Sequence, residues 1–192
     1  MSDPFEALIG PLLAREGGWV DDPRDGGGET NWGVTAAVAR ACGHAGPMRE
    51  MTREQAIAIY RARYWTGPGL DRIAALSAPV AAKLFDLGVN MGPGVGVAFL
   101  QRALNVLNEQ GGDFADIATD GVAGPALARA LDAFLRRRGR AGEAVLVKAV
   151  NCLQGARYIE LAEARAANEA FEFGWLANRI GSLTDPRAGT GS

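Results

Sequence analysis

Near its N-terminus the chain reads Glu16-Gly-Gly-Trp-Val-Asp-Asp-Pro-Arg-Asp-Gly-Gly-Gly-Glu-Thr-Asn-Trp-Gly-Val-Thr35. Glycine, proline and aspartate are too frequent in this run for a helix, because they interrupt or end helical backbone structure. Strand-like patterns occur only here, so we predict a loop with a short β-hairpin near residues 18–34. The chain on either side shows helical spacing, and the predicted fold class is therefore mainly α with one small β element.

Helical patterns surround this run on both sides. Apolar residues recur every three or four positions from Phe5 to Leu13, and Thr52 with Gln55 has the pattern of a capping box. The segment Ala144–Leu153 is apolar nearly all round, which predicts a helix buried at the centre of the fold.

The composition limits the class of protein. The 192 residues are 48% apolar and include 20 basic and 22 acidic residues, for a formal net charge of −2. These values predict one compact domain, or a core with a small appendage, and argue against a protein built to hold nucleic acid. No apolar run approaches the roughly 18 residues of a membrane span, so no stable membrane insertion is expected.

The N-terminal residues lack the basic start and the apolar segment of a secretory signal. We therefore expect synthesis in the cytoplasm, with release or export depending on another factor. Cys42, His44 and Cys152 do not have metal-ligand spacing, and we predict neither a metal nor an organic cofactor. Cys152 is expected to be a buried free thiol.

Glu16 is the residue that points to a chemistry. It follows Leu13, Leu12 and Ile9 by three, four and seven positions, which predicts that it shares the apolar face of the first helix. It also falls in the last turn, where the helix dipole disfavours a negative charge. Both effects favour a protonated carboxyl, which general-acid cleavage of a glycosidic bond requires. The alternative is an ordinary glutamate that caps the helix or pairs with Arg15 or another arginine.

The loop after Glu16 supplies a second carboxyl group. Asp25 lies among glycines in polar surroundings, so we expect it to stay ionised and to be able to orient a water molecule. Two carboxyls whose surroundings favour opposite protonation states are the acid/base pattern of glycoside hydrolysis. An ordinary acidic turn, in which aspartate and glycine serve only the backbone geometry, is an equally open interpretation.

Five blocks of the sequence match the pattern of one known family. The run Glu16–Thr35 resembles the signature of glycoside hydrolase family 108, and Tyr60–Trp65 and Phe85–Pro93 resemble its later blocks. Asp120–Pro125 and Phe173–Ile180 are similar to the helical peptidoglycan-binding region that usually follows the catalytic part. This resemblance covers nearly all of the chain and implies a lysozyme-like fold and an N-acetylmuramidase that cuts peptidoglycan.

The resemblance also implies roles for single residues. Glu16 corresponds to the family's catalytic glutamate, the proton donor. Asp25 and Thr30 fall close to the aspartate and threonine that lysozyme-like phage enzymes place after that glutamate, although Thr30 comes one residue early. The second catalytic role therefore stays open between Asp25, Glu29 and a water molecule held by Thr30.

Other residues are candidates for binding the sugar chain. Trp19 and Trp32 stand where the family more often has tyrosine or another aromatic residue, and either ring is able to stack on a sugar. Asp86 and Asn90, one helical turn apart, either line the cleft or form a buried hydrogen-bonded pair. Tyr64 either edges the saccharide groove or belongs to an aromatic core cluster. The predicted substrate-binding set is Trp19, Glu29, Trp32, Tyr64, Asp86 and Asn90.

The reaction implied by the resemblance is hydrolysis of the β-1,4 bond between N-acetylmuramic acid and N-acetylglucosamine. We expect residues 1–95 to be the catalytic region, residues 96–183 the peptidoglycan-binding region packed on it, and residues 184–192 a flexible tail. The resemblance extends to phage endolysins and to secretion-linked members of the family. It therefore implies peptidoglycan glycan strands as the partner, action in the periplasm and export with a holin-like partner. The alternatives are a lytic transglycosylase that uses the same Glu16, and a non-catalytic wall-binding or secretion-accessory protein.

Overall fold

The computed structural model describes residues 3–21, 28–165 and 168–180. Its fold is mainly α with one small hairpin, which confirms the fold class predicted from the sequence. The predicted tail, residues 184–192, lies outside the described residues. The helices are α1 (Pro4–Glu16), α2 (Ala36–Ala41), α3 (Arg53–Tyr60), α4 (Leu70–Leu76), α5 (Ala78–Met91), α6 (Pro93–Val106), α7 (Pro125–Ala164) and α8 (Glu169–Arg179). Further elements are a 3-10 turn (Met48–Glu50), a π-helical segment (Arg61–Thr66) and the strands β1 (Thr30–Asn31) and β2 (Val34–Thr35).

The two strands form an antiparallel hairpin, in which Thr30 pairs with Thr35 and Asn31 pairs with Val34. A single antiparallel bridge also joins Val20 to Thr30. Because Val20 follows the last residue of α1 closely, this bridge draws the chain that leaves α1 against the hairpin. The β element predicted for this region is confirmed.

Side-chain caps set the starts of several helices. At the start of α3, the Thr52 N–H donates to the Gln55 side-chain oxygen at 2.9 Å and the Gln55 N–H donates to the Thr52 hydroxyl oxygen at 3.2 Å. These two bonds are the predicted capping box, which is confirmed. At the start of α5, the Val80 N–H donates to the Ser77 hydroxyl oxygen at 3.1 Å.

An aromatic cluster holds α1 in place. The ring of Phe5, in the first turn of α1, lies 5.7 Å from the Trp65 ring and 5.6 Å from the Phe85 ring, between centroids. The tilted and edge-on geometries are those that aromatic pairs favour. Trp65 belongs to the π-helical segment and Phe85 to α5, so the cluster positions α1, and with it Glu16, relative to both elements.

The helix that contains Ala144–Leu153 lies at the surface, so the prediction of a central, fully buried helix is wrong. One face packs inward through Leu146, Val150 and Gln154, while Val145 and Cys152 are exposed. The prediction of a buried Cys152 thiol is therefore also wrong. Val147, Ala149 and Leu153 are half-buried and pack against the core, so the segment turns one face to the core although it is apolar nearly all round. Although α7 is long, none of the described helices is apolar enough over a sufficient length to cross a membrane.

The chain passes from α5 directly into α6 at Gly92, whose φ is 102°. The helix α6 packs against both α5 and α7. At Gly96 the approach is close, since a Cβ atom there would lie 3.1 Å from the Leu87 Cβ atom and 3.2 Å from the Leu84 carbonyl oxygen. The N-terminal and C-terminal halves of the described chain thus share one packed core.

Candidate active site

Trp32 and Gly33 form the two-residue turn between the strands. Both have positive φ, 53° and 73°, which a tight type I′ hairpin requires. Glycine adopts this backbone freely, whereas tryptophan is strained in it. The Trp32 indole N–H donates to the Met51 carbonyl oxygen at 3.2 Å, and the Trp32 carbonyl oxygen accepts from the Tyr60 hydroxyl at 3.2 Å. The buried Asn31 amide donates to the Met48 carbonyl oxygen at 2.7 Å, and this bond also holds the hairpin in place.

The turn lies directly against the side chain of Glu16. A Cβ atom added at Gly33 would lie 2.7 Å from Glu16 Cγ, 2.8 Å from Glu16 Cβ and 2.7 Å from the Tyr60 hydroxyl oxygen. These distances are shorter than non-bonded carbon contacts, so only glycine lets the turn approach Glu16 this closely. The stem of Glu16 is therefore held by the turn, while the residue as a whole is exposed.

The exposure of Glu16 corrects the prediction that it lies on the apolar face of its helix. Leu12 and Leu13 are buried, but every residue from 14 to 18 is exposed. The helix α1 extends beyond the buried core at its C-terminal end, so the helical spacing continues there although the core no longer covers the residue. Glu16 is nevertheless the last residue of α1, as the dipole argument assumed.

Tyr60 supports the other side of the turn. It is only 2% exposed, and burial is the main cause that raises the pKa of its hydroxyl well above the ordinary value. The negative charge of Glu16 raises this pKa further, followed by the effect of Tyr64. The hydroxyl therefore stays protonated and acts as a hydrogen-bond donor to Trp32.

The raised pKa of Tyr60 predicts a loss of stability in alkali. The folded state holds this proton more tightly than the unfolded state, so the contribution is complete below about pH 10 and is lost as the pH rises further. We expect the Tyr60→Phe variant to lose about 1 kcal/mol at neutral pH and to show a shallower alkaline decline than the wild type. Urea unfolding across this pH range measures both effects, and identical alkaline slopes would contradict the prediction.

Tyr64 lies next to Tyr60, with 5.6 Å between ring centroids. Its ring also packs towards α5, because a Cβ atom at Gly88 would lie 3.9 Å from Tyr64 Cδ1. The residue is half-buried and packs against the core, as the aromatic-cluster interpretation predicted. Its place at a saccharide groove stays a prediction, whereas the neighbouring Trp65 is buried in the core.

The candidates for the second catalytic group lie before the turn. Thr30 is half-buried and exchanges two backbone hydrogen bonds with Val20, each 2.8 Å long. Glu29 is also half-buried, and its carbonyl oxygen accepts from the Ala36 N–H at 2.9 Å. Glu29 comes directly before β1 and Thr30 is its first residue, and the turn that follows β1 contacts Glu16. Asp25 lies outside the described residues.

The two predicted stacking residues have different surroundings. Trp19 is 45% exposed and stands three positions after Glu16, so its ring is available at the end of α1. Trp32 is half-buried, and its indole N–H is already used by the hydrogen bond to Met51. Trp32 therefore offers a ring face but no free N–H donor.

Asp86 and Asn90 are hydrogen-bonded to each other, but the pair is not buried as the alternative predicted, because Asn90 is exposed and Asp86 is half-buried. The Asn90 amide donates to the Asp86 backbone carbonyl oxygen at 2.7 Å and lies 3.4 Å from the Asp86 carboxylate. Arg179 of α8 approaches that carboxylate to 3.8 Å, a partner that no sequence pattern indicated. Asp86 also lines a groove of about 520 Å³ between α1 and α5, which Arg15 borders too.

Within the described ranges, no group of three or more histidine, cysteine or acidic side chains is arranged to hold a metal ion. Glu16 lies against the Trp32–Gly33 turn, which Tyr60 supports, and the exposed Trp19 follows it three positions later. Aromatic faces beside a carboxyl group suit a sugar chain, because a ring face packs on a sugar while the carboxyl exchanges a proton.

Comparison with known proteins places this site within a family. Residues 9–92 match the family model described as Glycosyl hydrolase 108, and residues 95–180 match one described as Predicted Peptidoglycan domain. The solved structure of Brucella abortus SagA is similar over 92% of this chain and 88% of its own, with 26% sequence identity and a TM-score of 0.66. No curated protein matches the chain. Residues 9–92 therefore match glycosyl hydrolase family 108, and the region that follows them matches a peptidoglycan domain.

Proposed function

We propose that this peptidoglycan hydrolase cuts the β-1,4 bond between N-acetylmuramic acid and N-acetylglucosamine, with Glu16 as the proton donor. The observation that carries the proposal is the contact of the Gly33 turn with the stem of Glu16. An ordinary glutamate at a helix end needs no such enclosure. A carboxyl that must meet one oxygen atom of a substrate does need it, because general acid catalysis depends on position before acidity.

The exposure of Glu16 is compatible with this role once a glycan is bound. A sugar chain lying across the end of α1 excludes water from the carboxyl, so that the carboxyl exchanges its proton with the bridging oxygen and not with solvent. Protonation of the bridging oxygen then accompanies the development of an oxocarbenium-like centre on the sugar that is cut.

The second catalytic group is proposed from the loop that enters the hairpin. Asp25 is the first candidate, as an ionised carboxylate that guides water or stabilises the positive sugar. Glu29 and a water molecule held by Thr30 are the alternatives, and their place before the turn supports both of them. Trp19, Trp32 and Tyr64 are proposed to contact the sugar rings, with Asp86 and Asn90 bordering the groove between α1 and α5.

Peptidoglycan lies outside the inner membrane, so the proposed place of action is the periplasm. Release through a holin-like partner, and a role in phage lysis or in secretion, stay predictions from the sequence resemblance. Lysis of cells on co-expression with a holin, and no lysis without it, is the result that would support the partner.

The sugar at the new chain ends identifies the bond that is cut. We expect mass spectrometry of purified peptidoglycan after digestion to show fragments with reducing N-acetylmuramic acid ends, since water completes the reaction. Reduction with borohydride labels these ends and distinguishes them from 1,6-anhydro ends. Products with 1,6-anhydro ends would contradict hydrolysis, and reducing N-acetylglucosamine ends would contradict the proposed bond.

A further inference from the structure

A second cavity, of about 320 Å³, lies where the two matched regions of the chain meet. Asn90 and Met91, at the end of α5, supply one wall, and Val95 near the start of α6 continues it. The opposite wall consists of residues from α7 and α8. The cavity therefore exists only because the hydrolase region and the peptidoglycan domain are packed together.

Hydrogen bonds across the two regions fix the aromatic part of this wall. The Lys83 ammonium group, on α5, donates to the Gln154 side-chain oxygen and to the Arg179 carbonyl oxygen. The Gln154 amide in turn donates to the Tyr158 hydroxyl oxygen at 3.0 Å. The Tyr158 ring stacks on Trp175 with 5.1 Å between centroids and 26° between planes. The cavity thus has a rigid, flat aromatic side.

The remaining wall combines a cation with aliphatic groups. The Arg157 side chain is 48% exposed and pairs with Glu160 at 3.0 Å, an exposed ion pair of the kind that contributes little stability. Its guanidinium group has donors beyond that one contact and is able to exchange partners. Met91 and Leu161 supply small apolar contacts nearby. The carboxylate oxygens of Glu172 are buried, and Glu172 does not line the cavity.

We propose that this cavity binds the stem peptide of peptidoglycan, a short peptide with free carboxylates and alanine methyl groups. Arg157 binds a carboxylate of the peptide, the aliphatic residues contact the methyl groups, and the Tyr158–Trp175 pair packs against the peptide backbone. A sugar alone has no carboxylate in the intact wall, so the guanidinium favours the peptide over the glycan. The inference rests on the proposed function only in taking peptidoglycan as the ligand.

The position of the cavity fits a peptide attached to a glycan at Glu16. Asn90 lines the cavity and donates to Asp86, which stands one turn earlier on the same face of α5. Asp86 in turn lines the groove between α1 and α5 together with Arg15, the residue before Glu16. A stem peptide that branches from a sugar near Glu16 therefore reaches the cavity along one face of α5.

The test is calorimetric titration of the full chain with the synthetic tripeptide L-alanyl-γ-D-glutamyl-meso-diaminopimelic acid. We expect saturable binding to the wild type and affinity at least about tenfold weaker for Arg157→Gln, the usual effect of losing a charge-assisted hydrogen bond. The matched control is Arg136→Gln, on the part of α7 before the break at Gly139, which removes an equal charge from an exposed arginine that pairs with Asp132. Its affinity is expected to equal that of the wild type.

The proposal is overturned by no binding to the wild type, by equal affinity of the two arginine variants, or by equal binding of the tripeptide with amidated carboxylates. Competition by a peptide-free chitin oligosaccharide would assign the cavity to sugar instead and would also overturn it. The Glu16→Gln variant is expected to bind the tripeptide like the wild type. The peptide titration therefore stays informative if Glu16 is not the proton donor, and the lysis assay stays informative if the tripeptide does not bind.

Discussion

The Glu16→Gln variant is expected to lyse permeabilised Gram-negative cells about 10² to 10⁴ times more slowly than the wild type, the usual contribution of one general acid. Glutamine has the same size and keeps the contacts of the side-chain stem, but its amide N–H is not acidic enough to protonate the bridging oxygen. Because Glu16 is exposed, the substitution leaves no buried group unpaired, and we expect the variant to fold normally. The decrease in turbidity of a cell suspension measures the rate.

The variant is expected to bind its substrate even though it does not cut it. Sedimentation with purified peptidoglycan should give the same bound fraction for Glu16→Gln and the wild type, since the peptidoglycan domain is unchanged. A matched control is Glu163→Gln, because Glu163 is also exposed and also stands in the last turn of its helix. Equal lysis by the wild type and Glu16→Gln would remove Glu16 from the mechanism.

The Gly33→Ala variant is expected to lose activity almost as completely, although Gly33 offers no chemical group. The new methyl group would meet Glu16 and the Tyr60 hydroxyl at distances below 3 Å, so the turn or the glutamate must move. A displacement of about 1 Å in a catalytic group costs on the order of 100-fold in rate. The strain of a positive φ and the overlap together are expected to lower the free energy of unfolding by about 2 to 4 kcal/mol.

A matched glycine separates the effect of backbone strain from the effect of the overlap with Glu16. Gly43 also has a positive φ, 87°, but a Cβ atom there would have no neighbour within 4 Å. We expect Gly43→Ala to lose about 1 kcal/mol through backbone strain alone and to keep full activity. If Gly33→Ala and Gly43→Ala are equally active after correction for the folded fraction, the turn does not position Glu16.

The local features of the fold could be predicted because neighbouring residues determine them. The capping box at Thr52 and the hairpin before Thr35 depend on a few consecutive residues, and both are confirmed. Exposure depends instead on where other elements lie. The spacing of α1 could not show that its last turn passes the edge of the core, and the apolar composition of Ala144–Leu153 could not show that α7 lies on the surface.

The candidate site shows the same division. Glu16 and the aromatic residues near it could be named from the sequence, since they stand in a recognisable run. The role of Gly33 depends on a contact with residues 17 positions earlier and 27 positions later, which no local pattern encodes. The approach of Arg179 to Asp86 likewise depends on how α8 packs, so the interpretation of Asp86 as a cleft residue could not include it.

The shared core has a consequence for how the two regions could be separated or exchanged. The family matches meet between residues 92 and 95, yet α5 faces α6 there through Leu84 and Leu87, and both leucines are fully shielded from water. Cutting the chain at this border would uncover apolar surface on both fragments, which favours aggregation over independent folding. A chimera that grafts a different targeting module onto residues 9–92 would therefore have to bring a first helix that reproduces the α6 surface.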